Sequence, residues 1–149
     1  MGCVIAIASL VGGIFHLPKF PFFEIFAISI GVINSDTFAS EIGIRDSKVR
    51  MITTFKPVQP GTNGGISVTG IIASIIGSMI IGFSFSILAY DSIIIYKVFF
   101  VSLMGFTGNI IDSILGATLE NRGHMSKGSV NMSSATISVI LSIIILLAA

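Results

Sequence analysis

Long runs of apolar residues, separated by short polar segments, dominate the chain. Because a bilayer offers the backbone no hydrogen-bond partners, runs of about 20 apolar residues satisfy their own backbone groups as helices. A transmembrane barrel would show alternating segments of about ten residues, and these runs do not alternate. The pattern predicts an all-α fold, a polytopic transmembrane bundle of about five helices in one membrane domain. The predicted helices span 1–15, 22–44, 66–89, 93–119 and 130–149, with a polar loop at 45–65.

The first run, 1–15, is shorter than the roughly 20 residues that a membrane span needs. Pro18 and Pro21 then mark a tight connection to the second run. Three interpretations of 1–15 stay open: a helix tilted against its neighbours, a helix in the membrane interface, or the remainder of a longer protein.

The composition indicates that lipid surrounds much of the protein. Hydrophobic residues make up 53% of the chain and charged residues only 10%, with a mean hydropathy of +1.01. A soluble domain carries about 25% charged residues. The net charge of +1 gives no electrostatic basis for a nucleic-acid partner. The bilayer is therefore the expected partner, and the oligomeric state is left open.

Positive charge is concentrated at one end of the predicted bundle. The 45–65 loop carries four Lys or Arg residues and the 120–129 turn carries two, against two in the connections of the opposite side. Loops rich in Lys and Arg stay in the cytoplasm. We therefore expect a multi-pass protein of the cell membrane whose 45–65 loop is cytoplasmic.

Polar residues interrupt the second and fourth runs at helical spacing. Asn34 and Glu41 share one helix face and Asp36 lies on the adjoining one, while Asn109 and Asp112 share a face of the fourth run. An acid at the centre of a span costs about 2.5–3.5 kcal/mol, and each apolar residue returns only about 0.3–0.6 kcal/mol. Acids in this setting indicate a function, although isolated packing polarity is the alternative.

The two deepest acids lie at matching depth. At 1.5 Å per residue, Asp36 is about 13 Å from Arg45 and Asp112 is about 12 Å from Glu120, and the topology sends both helix ends to the same side. We expect the acids to meet across a cavity, where only a shared cation or proton makes their pairing tolerable. Mg²⁺ is the natural candidate, because it binds one or two carboxylates together with substrate phosphates.

A glycine-rich segment, Pro-Gly-Thr-Asn-Gly-Gly-Ile-Ser at 60–67, precedes the third run. Its glycines allow backbone N–H groups to converge, and the following helix N-terminus adds partial positive charge, so that the segment suits a phosphate. Ser67 is placed to cap that helix. The segment is not a Walker loop, because no Gly-Lys-Ser/Thr follows it. A plain turn is the alternative interpretation.

These segments, in this order, resemble the membrane family that includes plant phytyl-phosphate kinase and animal transmembrane protein nineteen. The match extends over Asn34–Asn131, about two-thirds of the chain. Members usually carry further helices upstream, so the resemblance implies the C-terminal part of that architecture or a naturally short member. The matching blocks are Asp-Thr-Phe-Ala-Ser-Glu-Ile-Gly at 36–43, the segment at 60–67, Gly-Asn-Ile-Ile-Asp-Ser-Ile-Leu-Gly-Ala-Thr at 108–118, and Val-Asn at 130–131.

The plant relative implies a reaction, the CTP-dependent phosphorylation of an isoprenyl monophosphate to the diphosphate. Under that hypothesis Asp36, Glu41 and Asp112 bind Mg²⁺ or act as the base for the acceptor phosphate. An ion-coupled transporter is the main alternative, because buried acids with polar neighbours also describe a coupling-ion site. A non-catalytic membrane component is the third. The expected nucleotide- and phosphate-binding residues are Gly61, Thr62, Asn63, Gly64, Gly65, Ser67 and Asn109.

Overall fold

The computed structural model describes residues 21–88 and 94–148, most of them helical. Four of its helices are long and apolar enough to cross a membrane, which confirms the predicted class of a transmembrane helical bundle. The predicted helix at 1–15 lies outside the described residues. The helices are α1 (Phe22–Gly43), α2 (Val68–Leu88), α3 (Ile94–Leu115), which a π-helical turn at Gly116–Glu120 extends, and α4 (Lys127–Ala148).

The loop between α1 and α2 contains a small sheet that the helical pattern did not predict. Strand β1 (Arg50–Met51) pairs antiparallel with β2 (Gly65–Ile66). The predicted third helix began at 66, but Ile66 belongs to β2, and α2 begins two residues later at Val68. The sheet closes the loop into a compact cap over one end of the bundle.

The last helix also begins earlier than predicted, at Lys127 rather than at 130. Ser126 is the reason, since its Oγ accepts a hydrogen bond of 3.2 Å from the backbone N–H of Ser129. A serine that satisfies one of the free N–H groups of the first turn starts a helix at the residue after it. Lys127 therefore lies in the first turn of α4, and its side chain projects from a helix instead of a turn.

Glycines allow α1 and α3, which run in the same direction, to approach closely. A Cβ atom added at Gly105 would lie 3.0 Å from the backbone carbonyl carbon of Gly31, and one added at Gly108 would clash with Val32. Lipid tails are as apolar as the helices, so the helices associate through close packing at small residues. The contact of Val32 with Gly108 sets the alignment of the two helices.

Polar side chains join the helices along their buried faces. Asn34 Nδ2 donates to the carbonyl oxygen of Gly77 at 2.8 Å, and Ser35 Oγ donates to that of Ser74 at 2.9 Å, so that α1 is joined to α2. Ser138 Oγ of α4 donates to an α3 carbonyl at 2.7 Å. Such bonds satisfy polar groups that lipid would leave unpaired. The apolar core beside them contains Ile25, Ile28, Phe85, Val101, Met104 and Val139.

We predict that Gly105→Ala destabilises the bundle by about 1–3 kcal/mol, because the new methyl group meets backbone that cannot yield. The matched control is Gly128→Ala, where the added atom has only Ser126 Oγ at 4.0 Å and the gain in helix propensity is about 0.5–1 kcal/mol. Thermal unfolding in detergent measures both. Equal stability of the two variants would contradict the packing of α1 against α3.

Candidate functional site

A cavity of about 290 Å³ lies at the end of the bundle that the sheet caps. The C-terminal half of α1, the loop before α2, the first turn of α2 and the last turns of α3 form its walls. Every site residue predicted from the sequence borders this cavity, although the roles assigned to these residues stay predictions. The ten residues are Asp36, Glu41, Gly61, Thr62, Asn63, Gly64, Gly65, Ser67, Asn109 and Asp112.

The alignment of α1 with α3 brings the two deep acids together. Each acid lies four residues, or about one helical turn, beyond the contact between Val32 and Gly108: Asp36 in α1 and Asp112 in α3. Helices that run in parallel and touch at one level carry side chains one turn further on at a common level. The predicted matching depth therefore has its physical origin in the packing of the two helices.

Asp36 and Asp112 share one cation, the ammonium group of Lys127. Its Nζ lies 3.1 Å from Asp112 Oδ2 and 3.6 Å from Asp36 Oδ2. The side chain of Asp112 is 4% exposed and that of Asp36 is 18% exposed, whereas Lys127 is 52% exposed. A shared cation was expected from the sequence, but here it is a residue of the chain itself. The pairing of the acids therefore does not by itself require a metal ion.

The sequence pattern does not identify Lys127 as a site residue, because it places Lys127 among the positive charges of the 120–129 turn. The last apolar run begins at 130, whereas the helix begins at Lys127. The apolar pattern therefore places Lys127 outside the helix to which it belongs. Ser126 is the signal that could have found it, as a serine that precedes a helical segment marks the helix start. Among residues 21–88 and 94–148, Lys127 is the one cation that lines the cavity.

Two further donors from α4 hold Asp112. Ser134 Oγ donates to its Oδ1 at 3.1 Å. The amide of Asn131, oriented from its neighbours, donates to the same oxygen at 3.0 Å. A buried carboxylate is tolerated only when such donors replace water. Asp112 is thus fixed on its Oδ1 side by neutral groups and on its Oδ2 side by Lys127.

The side-chain oxygen of Asn109, one turn before Asp112, accepts no hydrogen bond from the described residues. The residue is 4% exposed, borders the cavity, and its Oδ1 has no hydrogen-bond donor in the described parts of the chain. A buried oxygen without a partner costs about 1–3 kcal/mol. Such an oxygen beside two carboxylates is suited to a cation or to a donor group of a ligand.

Glu41 borders the cavity but does not join the acid pair. In the described portion of the protein, no three residues of the types His, Cys, Asp and Glu are grouped closely enough to hold a metal ion. The three acids named from the sequence therefore do not form one cluster of carboxylates. Asp36 and Asp112 are the two of these acids that lie together.

The glycine-rich segment lies against the end of α3. Gly61 and Gly64 have φ angles of 84° and 74°, a conformation that residues with a side chain rarely adopt. A Cβ atom at Gly64 would lie 2.5 Å from that of Ala117, and Asn121 Nδ2 donates to the carbonyl oxygen of Asn63 at 3.0 Å. Close packing on α3 is thus a structural reason for Gly64, beside any contact with a ligand.

Only some of the backbone N–H groups of this segment are free to bind a phosphate. The N–H of Thr62 donates to Gln59 at 3.2 Å, and that of Gly65 donates to the carbonyl of Thr62 at 2.8 Å. Two of the donors that a phosphate would use are therefore engaged inside the loop. A phosphate at this position would depend more on Lys127 than the sequence suggested.

Ser67 caps α2 as predicted, because its Oγ accepts a hydrogen bond of 3.1 Å from the N–H of Gly70. Asp46 anchors the preceding loop to the same helix end. Its carboxylate accepts from the backbone N–H of Lys48 at 2.9 Å and from Thr69 Oγ1 at 3.0 Å. These bonds hold the pKa of Asp46 below its ordinary value. The loop wall of the cavity is thereby tied to the start of α2.

The four membrane-spanning helices define an integral membrane protein. Its polar site lies at one end of the bundle, where two acids share Lys127 beside a glycine-rich loop. The chain belongs to the family described as integral membrane protein DUF92, whose sequence model matches residues 1–147. No solved structure matches the chain.

Proteins similar to the chain occur in archaea, plants and cyanobacteria. An uncharacterised membrane protein of Methanocaldococcus jannaschii is 37% identical over 118 residues, 78% of this chain and 48% of that protein. Protein PGR of Arabidopsis thaliana is 40% identical over 103 residues, 62% and 36% of the two chains. An uncharacterised membrane protein of a Synechocystis strain is 35% identical over 92 residues, 59% and 34% of the two chains. The chain matches less than half the length of these relatives.

We predict that Lys127→Met destabilises the protein by about 2 kcal/mol, less than the 3–5 kcal/mol of a fully buried pair because Lys127 is half exposed. The exposed loop variant Lys56→Met serves as the control and leaves stability unchanged within about 0.5 kcal/mol. Adding Asp112→Asn to Lys127→Met recovers part of the loss, since one of the two unpaired charges is removed. Thermal unfolding in detergent measures all three variants. Equal stability of Lys127→Met and Lys56→Met would show that the shared cation contributes nothing.

Proposed function

We propose that the chain carries the site of a membrane phosphotransferase that uses CTP and Mg²⁺ to convert an isoprenyl monophosphate to the diphosphate. The observation that supports this function is the cavity in which the acid pair, Asn109 and the glycine-rich loop meet at one end of a membrane-spanning bundle. The resemblance of the same segments to the plant phytyl-phosphate kinase suggests the substrate class. Because the chain matches less than half of its relatives' length, the proposal concerns the part of the site that lies here.

The residues of the cavity fit a Mg²⁺ ion. Such an ion is bound by one or two carboxylates and keeps its remaining positions for water and substrate phosphates. Asp36 and Asp112 supply two carboxylates that already share one cation, and Asn109 supplies an oxygen without a partner. When bound, Mg²⁺ neutralises phosphate charge and orients the phosphoryl group. Glu41 borders the same space.

The location of the cavity suits an amphiphilic acceptor. The exposed outer faces of the helices are apolar, with Ile72, Ile76 and Phe83 among the exposed residues of α2, so an isoprenyl chain remains in lipid while its phosphate enters the polar end. In the transfer, an oxygen of the acceptor phosphate forms a bond to the γ-phosphorus of CTP. The bond from that phosphorus to the bridging oxygen breaks, and CDP leaves with the electron pair.

The residues of the chain position the reactants and compensate their charge. Phosphoryl transfer depends on positioning and charge neutralisation more than on covalent chemistry by the protein. Lys127 is the cation nearest to the phosphates, Asn109 and Asn63 orient oxygens, and the Gly61–Gly65 loop bounds the nucleotide phosphates. Glu41, which borders the cavity outside the acid pair, accepts the proton when the acceptor phosphate is singly protonated.

An ion-coupled carrier is the second candidate, and one observation favours it. The acids lie inside membrane spans and are compensated by a lysine of the chain, an arrangement that coupling-ion and proton sites of transporters also use. A kinase responds to CTP with Mg²⁺ by an increase in thermal stability, whereas a carrier does not respond to a nucleotide. That measurement separates the two candidates without an assay of either activity.

We predict that Asp36→Asn and Asp112→Asn each lower the transfer rate by at least about a hundredfold, because charge stabilisation at the reacting phosphates is lost. The assay follows the transfer of labelled phosphate from CTP to an isoprenyl monophosphate in vesicles that contain the protein. Glu24→Gln is the matched control, since it makes the same acid-to-amide change in α1 at the opposite end, where Glu24 pairs with Lys97 at 3.4 Å. Full activity of both Asn variants would remove the assignment, and no transfer from any nucleotide by the wild-type protein would favour the carrier.

A further inference from the structure

Lys127 has properties that a permanent counter-ion does not need. It belongs to α4, while the acids that it joins belong to α1 and α3. Its side chain is 52% exposed, although Asp112 is almost completely buried. A long, flexible ammonium side chain that is half exposed is able to leave its partners without breaking the packing of the bundle.

Asp112 has two neutral donors besides Lys127. Ser134 and Asn131 both donate to Oδ1, whereas Lys127 contacts Oδ2. On Asp36, too, Lys127 lies against Oδ2. The ammonium therefore lies against the Oδ2 oxygens of both acids, and Asp112 Oδ1 is held by neutral donors. These Oδ2 oxygens are the position that another cation would take.

Asn109 supplies an oxygen of the cavity that Lys127 does not satisfy. Its buried Oδ1 lies one turn from Asp112 and has no partner in the described residues. An amide oxygen beside two carboxylates completes the oxygen-rich set of ligands that hard divalent cations prefer. The lysine satisfies the carboxylates but leaves this oxygen unmet, whereas a divalent cation could satisfy all three groups.

We infer that Lys127 is a displaceable counter-ion, which leaves the Asp36–Asp112 pair when a divalent cation binds there and then contacts the anionic ligand in the cavity. The inference rests on the proposed use of a divalent cation at this site. Two cations cannot share the same Oδ2 oxygens without strong repulsion. Since no other described cation lines the cavity, the released ammonium is the group that meets a phosphate. Binding of the cation and binding of the phosphate are thereby coupled.

Carbodiimide cross-linking tests the displacement directly, because the reagent joins an amine and a carboxylate in contact as an amide with loss of water. In vesicles treated with a chelator, we expect an amide between Lys127 and Asp112 or Asp36, mapped by mass spectrometry. Saturating Mg²⁺ lowers its yield about tenfold, a typical size for coupling between two ligands of one protein. NaCl at the same ionic strength does not.

The Glu24–Lys97 pair at the other end of α1 is the internal control, with Nζ and Oε1 at 3.4 Å. Its cross-link stays constant when Mg²⁺ is added. The inference is overturned if Mg²⁺ leaves the Lys127 cross-link unchanged, if it lowers both cross-links equally, or if Lys127 never cross-links while Lys97 does.

Cation affinity provides a second test that does not depend on cross-linking. Lys127→Met removes the competing ammonium, so Mg²⁺ should bind about tenfold more tightly and restore the lost thermal stability of the variant. Lys127→Arg retains the competitor and shows no such gain. Weaker Mg²⁺ binding in Lys127→Met would mean that the lysine only supports the fold, and would overturn the inference. A protein that shows the displacement but transfers no phosphate would refute the proposed kinase and leave the displacement standing.

Discussion

The sharing of one ammonium group by two carboxylates is the interaction on which the polar end of this protein depends. An ionised acid in a membrane span is expensive, and Asp112 is almost fully buried. Lys127 offsets both acids at once and so joins α1, α3 and α4 at a single point. The cavity lies where these three helices meet the loop before α2.

Features remote from the acids make this interaction possible. Glycines at the contact of α1 with α3 align the two parallel helices, so that Asp36 and Asp112 arrive at one level. Ser126 starts α4 early enough for Lys127 to reach them. The loop that carries Gly64 closes over the acids only because this residue has no side chain where it meets Ala117. Packing, capping and loop conformation thus converge on one site.

Much of this arrangement follows from the sequence, and the rest depends on contacts that no local pattern contains. Polar residues in apolar runs identify Asp36, Asn109 and Asp112, because lipid makes idle polar groups costly. Lys127 reaches the acids because α4 begins at that residue. The apolar run begins only at 130, so the apolar pattern places the start of the helix too late. The engaged N–H groups of Thr62 and Gly65 and the short sheet arise from loop pairing, which glycine content alone does not predict. The interpretation of 1–15 stays a prediction.

Within the membrane, both acids contact the same lysine. Solid-state NMR of the protein in lipid bilayers, with the Lys127 ammonium nitrogen and the aspartate carboxyl carbons isotopically labelled, measures this contact through dipolar coupling. In divalent-free buffer we expect strong coupling of that nitrogen to the carboxyl carbons of both Asp36 and Asp112, in keeping with the distances of 3.6 Å and 3.1 Å to their oxygens. Coupling to neither carbon, with each acid paired to a separate neighbour, would contradict the shared contact.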